Sequence, residues 1–133
     1  MNLTHLHLVV NHLPVIGSAL GVIVLIYGLW VRSEHTIIAA YYMFIMSSVG
    51  AAVTYLTGED AEESVEHLSG ITKAMIHEHE DAALFAYIFF ILLGIISFAG
   101  VIIQYRKLKS ARMISLITLF LAIFSFSVIA RTA

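Results

Sequence analysis

The chain is 133 residues long, 60% hydrophobic and only 12% charged, with a mean hydropathy of +0.94 and a net charge of −2. A soluble domain carries about 25% charged residues, so this composition excludes an ordinary water-soluble fold, and the balance of charge argues against a nucleic-acid partner. There is no cysteine, which removes disulfides, thiolate metal sites, iron–sulfur clusters and haem attachment through C-x-x-C-H.

The length allows one domain. Crossing about 30 Å of hydrocarbon takes roughly 20 predominantly apolar residues, and four segments qualify: about 13–31, 36–57, 82–103 and 113–130. None has Asp, Glu, Lys or Arg in its middle, and all must be helical because lipid cannot satisfy an open backbone. No Lys or Arg precedes the first apolar run and no small-residue cleavage site follows it, so a removable signal peptide is not expected.

In chain order, span one opens on Asn11-His-Leu-Pro14. Asn11 is placed to cap the helix, with Pro14 in the first turn, where its missing N–H costs little. A helix starting near Leu3 would instead be kinked by Pro14. Gly17, Gly21 and Gly28 form one small-residue face of this span, while His5, His12, Ile16, Ala19 and Ile23 share another. The link from Arg32 to His35 leads into span two, which carries Ser47, Ser48, Thr54 and Thr57.

Thr57 with Asp60 resembles a capping box, and Gly70 is a plausible stop. Between them Glu59, Glu62, Glu63 and Glu66 share a face, and Ala61, Val65 and Leu68 the other, so a short amphipathic surface helix is expected between spans two and three. The carboxylate row reads as a solvated face. Thr72 is placed to cap a helix running straight into span three, where His79, Ala83, Ala86, Phe90, Gly94 and Ser97 make a stripe. Small residues mark the side where membrane helices meet, so this stripe, with His79 at its head, is expected to face the bundle. The same rule groups Ser115, Thr118, Ala122 and Ser125 on span four.

Short links favour antiparallel neighbours. The expected fold is an all-α, four-span antiparallel up-down bundle forming a single domain over residues 1–133. Arg106, Lys107, Lys109 and Arg112 lie between spans three and four, with Arg32 at the same end. The positive-inside rule puts these links in the cytoplasm and both termini outside; Arg131 is a minor dissent. Trp30, Tyr41, Tyr42, Tyr55 and Tyr105 are placed as an interfacial aromatic belt.

Six of the seven histidines, His5, His7, His12, His67, His77 and His79, then fall at the outer end, with Glu78, Glu80 and Asp81 among the last two. His35 alone falls inside. Haem b is one reading, held between His12 and His79 on facing helices at a common depth, with Ala83 and Ala86 leaving room for a flat ligand. A second is zinc, copper or iron bound by some of His5, His7, His12, His77 and His79 with nearby carboxylates. In it, Asp81 orients His77 from i+4, with Glu80 also close. The third is structural, with imidazoles merely tolerated at headgroup depth; His35 and His67 are left there. Neither H-E-x-x-H nor a di-iron Glu-x-x-His pair is present, and no G-x-S-x-G elbow or phosphate loop supports an enzyme. Spans without a buried charge also make a poor channel or pump.

The opening His5-Leu-His-Leu-Val-Val-Asn-His-Leu-Pro14, with Thr57-Gly-Glu-Asp-Ala-Glu-Glu63 and His77-Glu-His-Glu80, resembles a family of small bacterial four-helix integral membrane proteins of unknown function, some of whose relatives are suggested to be cytochromes. The resemblance covers nearly the whole chain. It implies a site at His12 and at His79 with Glu80, and a polar Gly- and His-containing tail after the fourth helix. This chain ends at Ala133 without one, so any ligand carried there is expected to be missing. The function expected is a small accessory or electron-transfer subunit of the bacterial inner membrane rather than a stand-alone enzyme. It would contact lipid and either other membrane subunits or its own copies. The alternatives are a purely structural subunit and a metal-binding membrane protein.

Overall fold

A computed structural model describes residues 2–65, 70 and 72–132, leaving aside the side chains of residues 3, 4, 59–65 and 132. The described residues form five helices: α1 (Leu3–Val10), α2 (His12–Val31), α3 (Glu34–Val65), α4 (Lys73–Tyr105) and α5 (Ala111–Thr132). Four stretches are long and apolar enough to cross a membrane: His5–Val31, Glu34–Gly58, Lys73–Tyr105 and Ala111–Arg131.

The first helix starts earlier than the composition suggests. Asn2, not Asn11, is the cap, its side-chain oxygen accepting from the His5 backbone N–H at 2.8 Å. Asn11 keeps right-handed helical dihedrals and makes no side-chain cap bond; its Oδ1 is buried without a partner. The helix therefore runs almost through this point. The interruption at Asn11 has a simple cause downstream: Pro14 has no N–H to give the Val10 carbonyl.

At the far end, Arg32 adopts the left-handed conformation (φ 55°, ψ 42°) and returns its N–H to Gly28 O. The Ser33 N–H reaches the same carbonyl at 3.0 Å, and the Ser33 hydroxyl accepts from the Thr36 N–H at 3.2 Å, starting α3. Two residues thus separate α2 from α3, with the Gly28 carbonyl and the Thr36 and Ile37 N–H groups of the adjoining helix ends engaged.

The expected surface helix is not separate. α3 continues through Thr57 and Gly58 to Val65. Thr57 does not break it, because its hydroxyl bonds back to Val53 O at 2.9 Å within the helix instead of capping a new one. The side chains of Glu59, Glu62, Glu63, Ala61 and Val65, and the whole of Glu66, His67 and Leu68, lie outside the described residues. Gly70 is a turn at φ 89°, and Thr72 caps α4 as expected, accepting from the Met75 N–H at 3.2 Å. With 32 and 33 residues, α3 and α4 reach roughly 48–50 Å at 1.5 Å per residue. Each exceeds the hydrocarbon thickness by roughly 20 Å.

Four helices close a ring in which α3 packs on α2 and α4, and α5 on α4 and α2, while α1 lies on α3. The packed faces follow the small-residue stripes. α2 buries Pro14, Ser18, Gly21, Leu25 and Gly28; α4 buries Ala86, Phe90, Leu93, Ser97, Gly100 and Gln104; α5 buries Ser115, Thr118, Ala122 and Ser125. This alternating three- and four-residue spacing is that of knobs-into-holes packing. Large side chains of α3 fill the holes left by glycine. A Cβ at Gly21 would lie 2.5 Å from Phe44 Cε1, and one at Gly100 2.5 Å from Tyr41 Cζ. Along α2, Gly17, Gly21 and Gly28 meet Ser47, Phe44 and Ile37 in turn. Along α3, Tyr41, Ser48 and Tyr55 meet Gly100, Gly94 and Tyr87.

Tyr41 is thus a correction to the aromatic belt. It is fully buried, whereas Trp30, Tyr42, Tyr55 and Tyr105 are exposed. Its phenol reaches Ser115 Oγ at 2.9 Å. The Ser115 hydroxyl already donates to Ala111 O, so Tyr41 is the donor.

Candidate histidine site

The hydroxyls inside the bundle are the first place to look for chemistry, and nearly all are engaged. Ser18, Ser47, Thr54, Ser115, Thr118 and Ser125 each donate to the carbonyl four residues earlier. A hydroxyl bonded to its own helix is satisfied without water and leaves a packable surface. Ser97 Oγ is the exception, fully buried and unpartnered.

The histidines lie at the end where α3 and α4 project, and the structure separates them. His12 is exposed, on the side of α2 where Ile16 and Ile23 are 57% and 62% exposed. At about 100° per residue, it stands on the opposite side of the helix from Pro14, which heads the packed face. His79 is exposed too. Its stripe does face the bundle below, where Ala86, Phe90 and Ser97 are buried, but His79 lies two turns beyond the last buried residue. Ala86 is 1% exposed, so this face is covered by the bundle two turns below His79, while His12 and His79 themselves stand exposed.

His77 and the carboxylates form a local group on the first turns of α4. Its Nδ1 lies 3.5 Å from Glu80 Oε2 and its Nε2 3.8 Å from Asp81 Oδ2. The i+4 pairing with Asp81 is present, but the imidazole and Asp81 are three-quarters exposed, where an ion pair is screened and contributes little. His5 is exposed as well. Among the described residues no three His, Asp or Glu side chains gather.

His7 alone is held. It is half-buried against α3, with Nδ1 3.0 Å from Thr54 O and 3.1 Å from Thr57 Oγ1. A carbonyl can only accept, and the Thr57 hydroxyl hydrogen is directed to Val53 O. Both contacts therefore require a proton on Nδ1. For the neutral ring this assigns one tautomer, with the lone pair on Nε2. Gly58 stands beside the ring: a Cβ there would lie 3.7 Å from His7 Cε1.

Thr54 and Thr57 are the His7 partners that the sequence did not connect to it. They were legible as hydroxyls one turn apart at the end of a span, but nothing along the chain connects them to a residue 47 to 50 positions away. No protein-family model matches the chain, and neither the curated proteins nor the solved structures searched contain a match.

Proposed function

We propose that this chain is a small integral membrane subunit of the bacterial inner membrane, an accessory or electron-transfer component that holds a metal centre through His7. The observation that carries this reading is the fixed His7 imidazole, with Nδ1–H directed to Thr54 O and Thr57 Oγ1. Histidines that bind metals characteristically donate the other ring N–H to a carbonyl or similar acceptor, which sets tautomer and orientation and raises basicity. A neutral imidazole of this kind suits haem iron as well as zinc, copper or iron. When bound, such a centre would supply electron transfer or structural cross-linking; the chain's own part is to present Nε2.

Antiparallel up-down topology is supported by the contact register, in which residues of α3 are met in descending order as α2 and α4 are followed upward. The orientation, with termini and His7 outside, rests on the cations at the other end. The resemblance to small bacterial four-helix membrane proteins agrees with this reading.

The test is a reduced-minus-oxidised spectrum and elemental analysis of the purified full chain, with His7→Gln and His12→Gln beside the wild type. Haem b bands or a stoichiometric metal, lost in His7→Gln and kept in His12→Gln, are expected. Full retention in a folded His7→Gln variant would overturn the assignment.

A second reading, a structural subunit without cofactor, is favoured by the engaged interior hydroxyls and the apolar outer faces, where Trp30, Phe120 and Leu56 are 83%, 75% and 73% exposed. Absence of haem and metal together with co-purification of a larger complex would select it.

A further inference from the structure

At the end away from the histidines, a cavity of about 160 Å³ opens between the helix ends, lined by Leu29, Arg32, Ile37, Gln104, Ala111, Arg112 and Ser115. We propose that it is a binding site for the phosphate headgroup of an anionic phospholipid.

Location is the first argument. The lining comes from the last turn of α2, the start of α3, the last turn of α4 and the start of α5. The cavity therefore lies where helices of membrane-crossing length end. Trp30 and Tyr105, 83% and 64% exposed, stand at the same level, and such rings favour headgroup depth.

Its chemistry is the second argument. Both ion pairs among the described residues lie at the other end, on His77, so neither Arg32 nor Arg112 has a carboxylate partner here. Arg32 does not reach the cavity by chance of a mobile loop: the left-handed cap ties its backbone to Gly28 O. Two guanidinium forks match phosphate oxygens geometrically. Arg106, Lys107 and Lys109 on the adjoining link add to the positive field.

Gln104 supplies a second, independent pointer. It is 7% exposed and lines the cavity, and its carboxamide forms no hydrogen bond among the described residues. The amide is not sealed from solvent, so its hydrogen-bonding capacity is open to what enters the cavity. The floor offers no competing donor, since Tyr41 donates to Ser115 and Ser115 to Ala111 O. The lining residues that carry side-chain donors not already engaged are Arg32, Arg112 and Gln104, all suited to an anion. Leu29 and Ile37 provide an apolar wall for the adjoining glycerol ester.

The experiment is native mass spectrometry of the full chain, delipidated in detergent and titrated with phosphatidylglycerol, phosphatidylcholine or inorganic phosphate. The variants are Arg32→Gln with Arg112→Gln, Gln104→Leu alone, and Arg106→Gln with Lys109→Gln as a charge-matched control. Circular dichroism reports folding. Phosphatidylglycerol should bind saturably, weakened about fivefold per cavity arginine, weakened also by Gln104→Leu, and less affected by the control pair. Equal losses in the cavity and control pairs with no effect of Gln104→Leu would overturn the proposal, as would equal binding of phosphatidylcholine. Arginine-dependent binding of inorganic phosphate as tight as the lipid would reassign the site to soluble phosphates. Should the arginine pair not fold, Gln104→Leu alone decides.

Discussion

The two ends of the bundle are built from the same kind of helix and do opposite things with it. At the Arg32 end the chain turns within a few residues, with left-handed Arg32 and Lys107 at the two turns, and Arg32 and Arg112 line a recess without an ion pair among the described residues, Glu34 standing nearby on the first turn of α3. At the histidine end α4 carries His77, His79, Glu80 and Asp81 in the open, and among the described residues His7 is the one imidazole docked. The contrast teaches that helix length separates the two. Where helices stop together, their ends share one cavity. Where they overshoot, residues on the same stripe lose their neighbours, as His79 does two turns above Ala86.

This comparison can be broken from either side. Thr57→Val removes one acceptor of the His7 ring and leaves Thr54 O; metal affinity should fall about 10–100-fold, read by competition with a chromophoric chelator, with lipid retention unchanged. Loss of both properties together would show that the ends are coupled. Gly100→Ala places a methyl against the Tyr41 ring. Overpacking of this kind costs about 1–3 kcal/mol and should lower the thermal midpoint while disturbing the Arg32 end first, because Tyr41 bonds Ser115 in the floor of the cavity. Tyr41→Phe sharpens the same point with a smaller effect. It deletes the hydroxyl but keeps the ring on Gly100, and interhelical hydrogen bonds in membranes average about 0.6 kcal/mol. Thermal unfolding of the two variants side by side separates ring packing from hydrogen bonding; a larger loss in Tyr41→Phe than in Gly100→Ala would reverse this ranking.

Much of the packing was legible before the fold was known. The stripes of Gly17, Gly21 and Gly28, of Ala86 to Ser97, and of Ser115 to Ser125 all lie on buried faces, because only small residues let backbones approach where no water drives association. Applied evenly, that rule also speaks against His12 as an inward ligand: its face, with Ile16 and Ile23, is not the glycine face. Asn11 and Thr57 misled for a different reason. Their side chains suit caps, but capping is optional wherever flanking residues can continue the helix, and here they do.

By itself the sequence determined the number of membrane-length helices, their bounds to within a turn at most ends, and the segregation of cations from histidines, since hydropathy and charge are local properties summed along the chain. Only the tertiary structure decided which histidine is held, what Tyr41 does, and that Arg32, Gln104 and Arg112 meet. Periodicity relates residues within one helix; how far that helix is rotated and slid against its neighbours is set by contacts between residues distant in the chain, and in lipid both the packed and the outward faces are apolar.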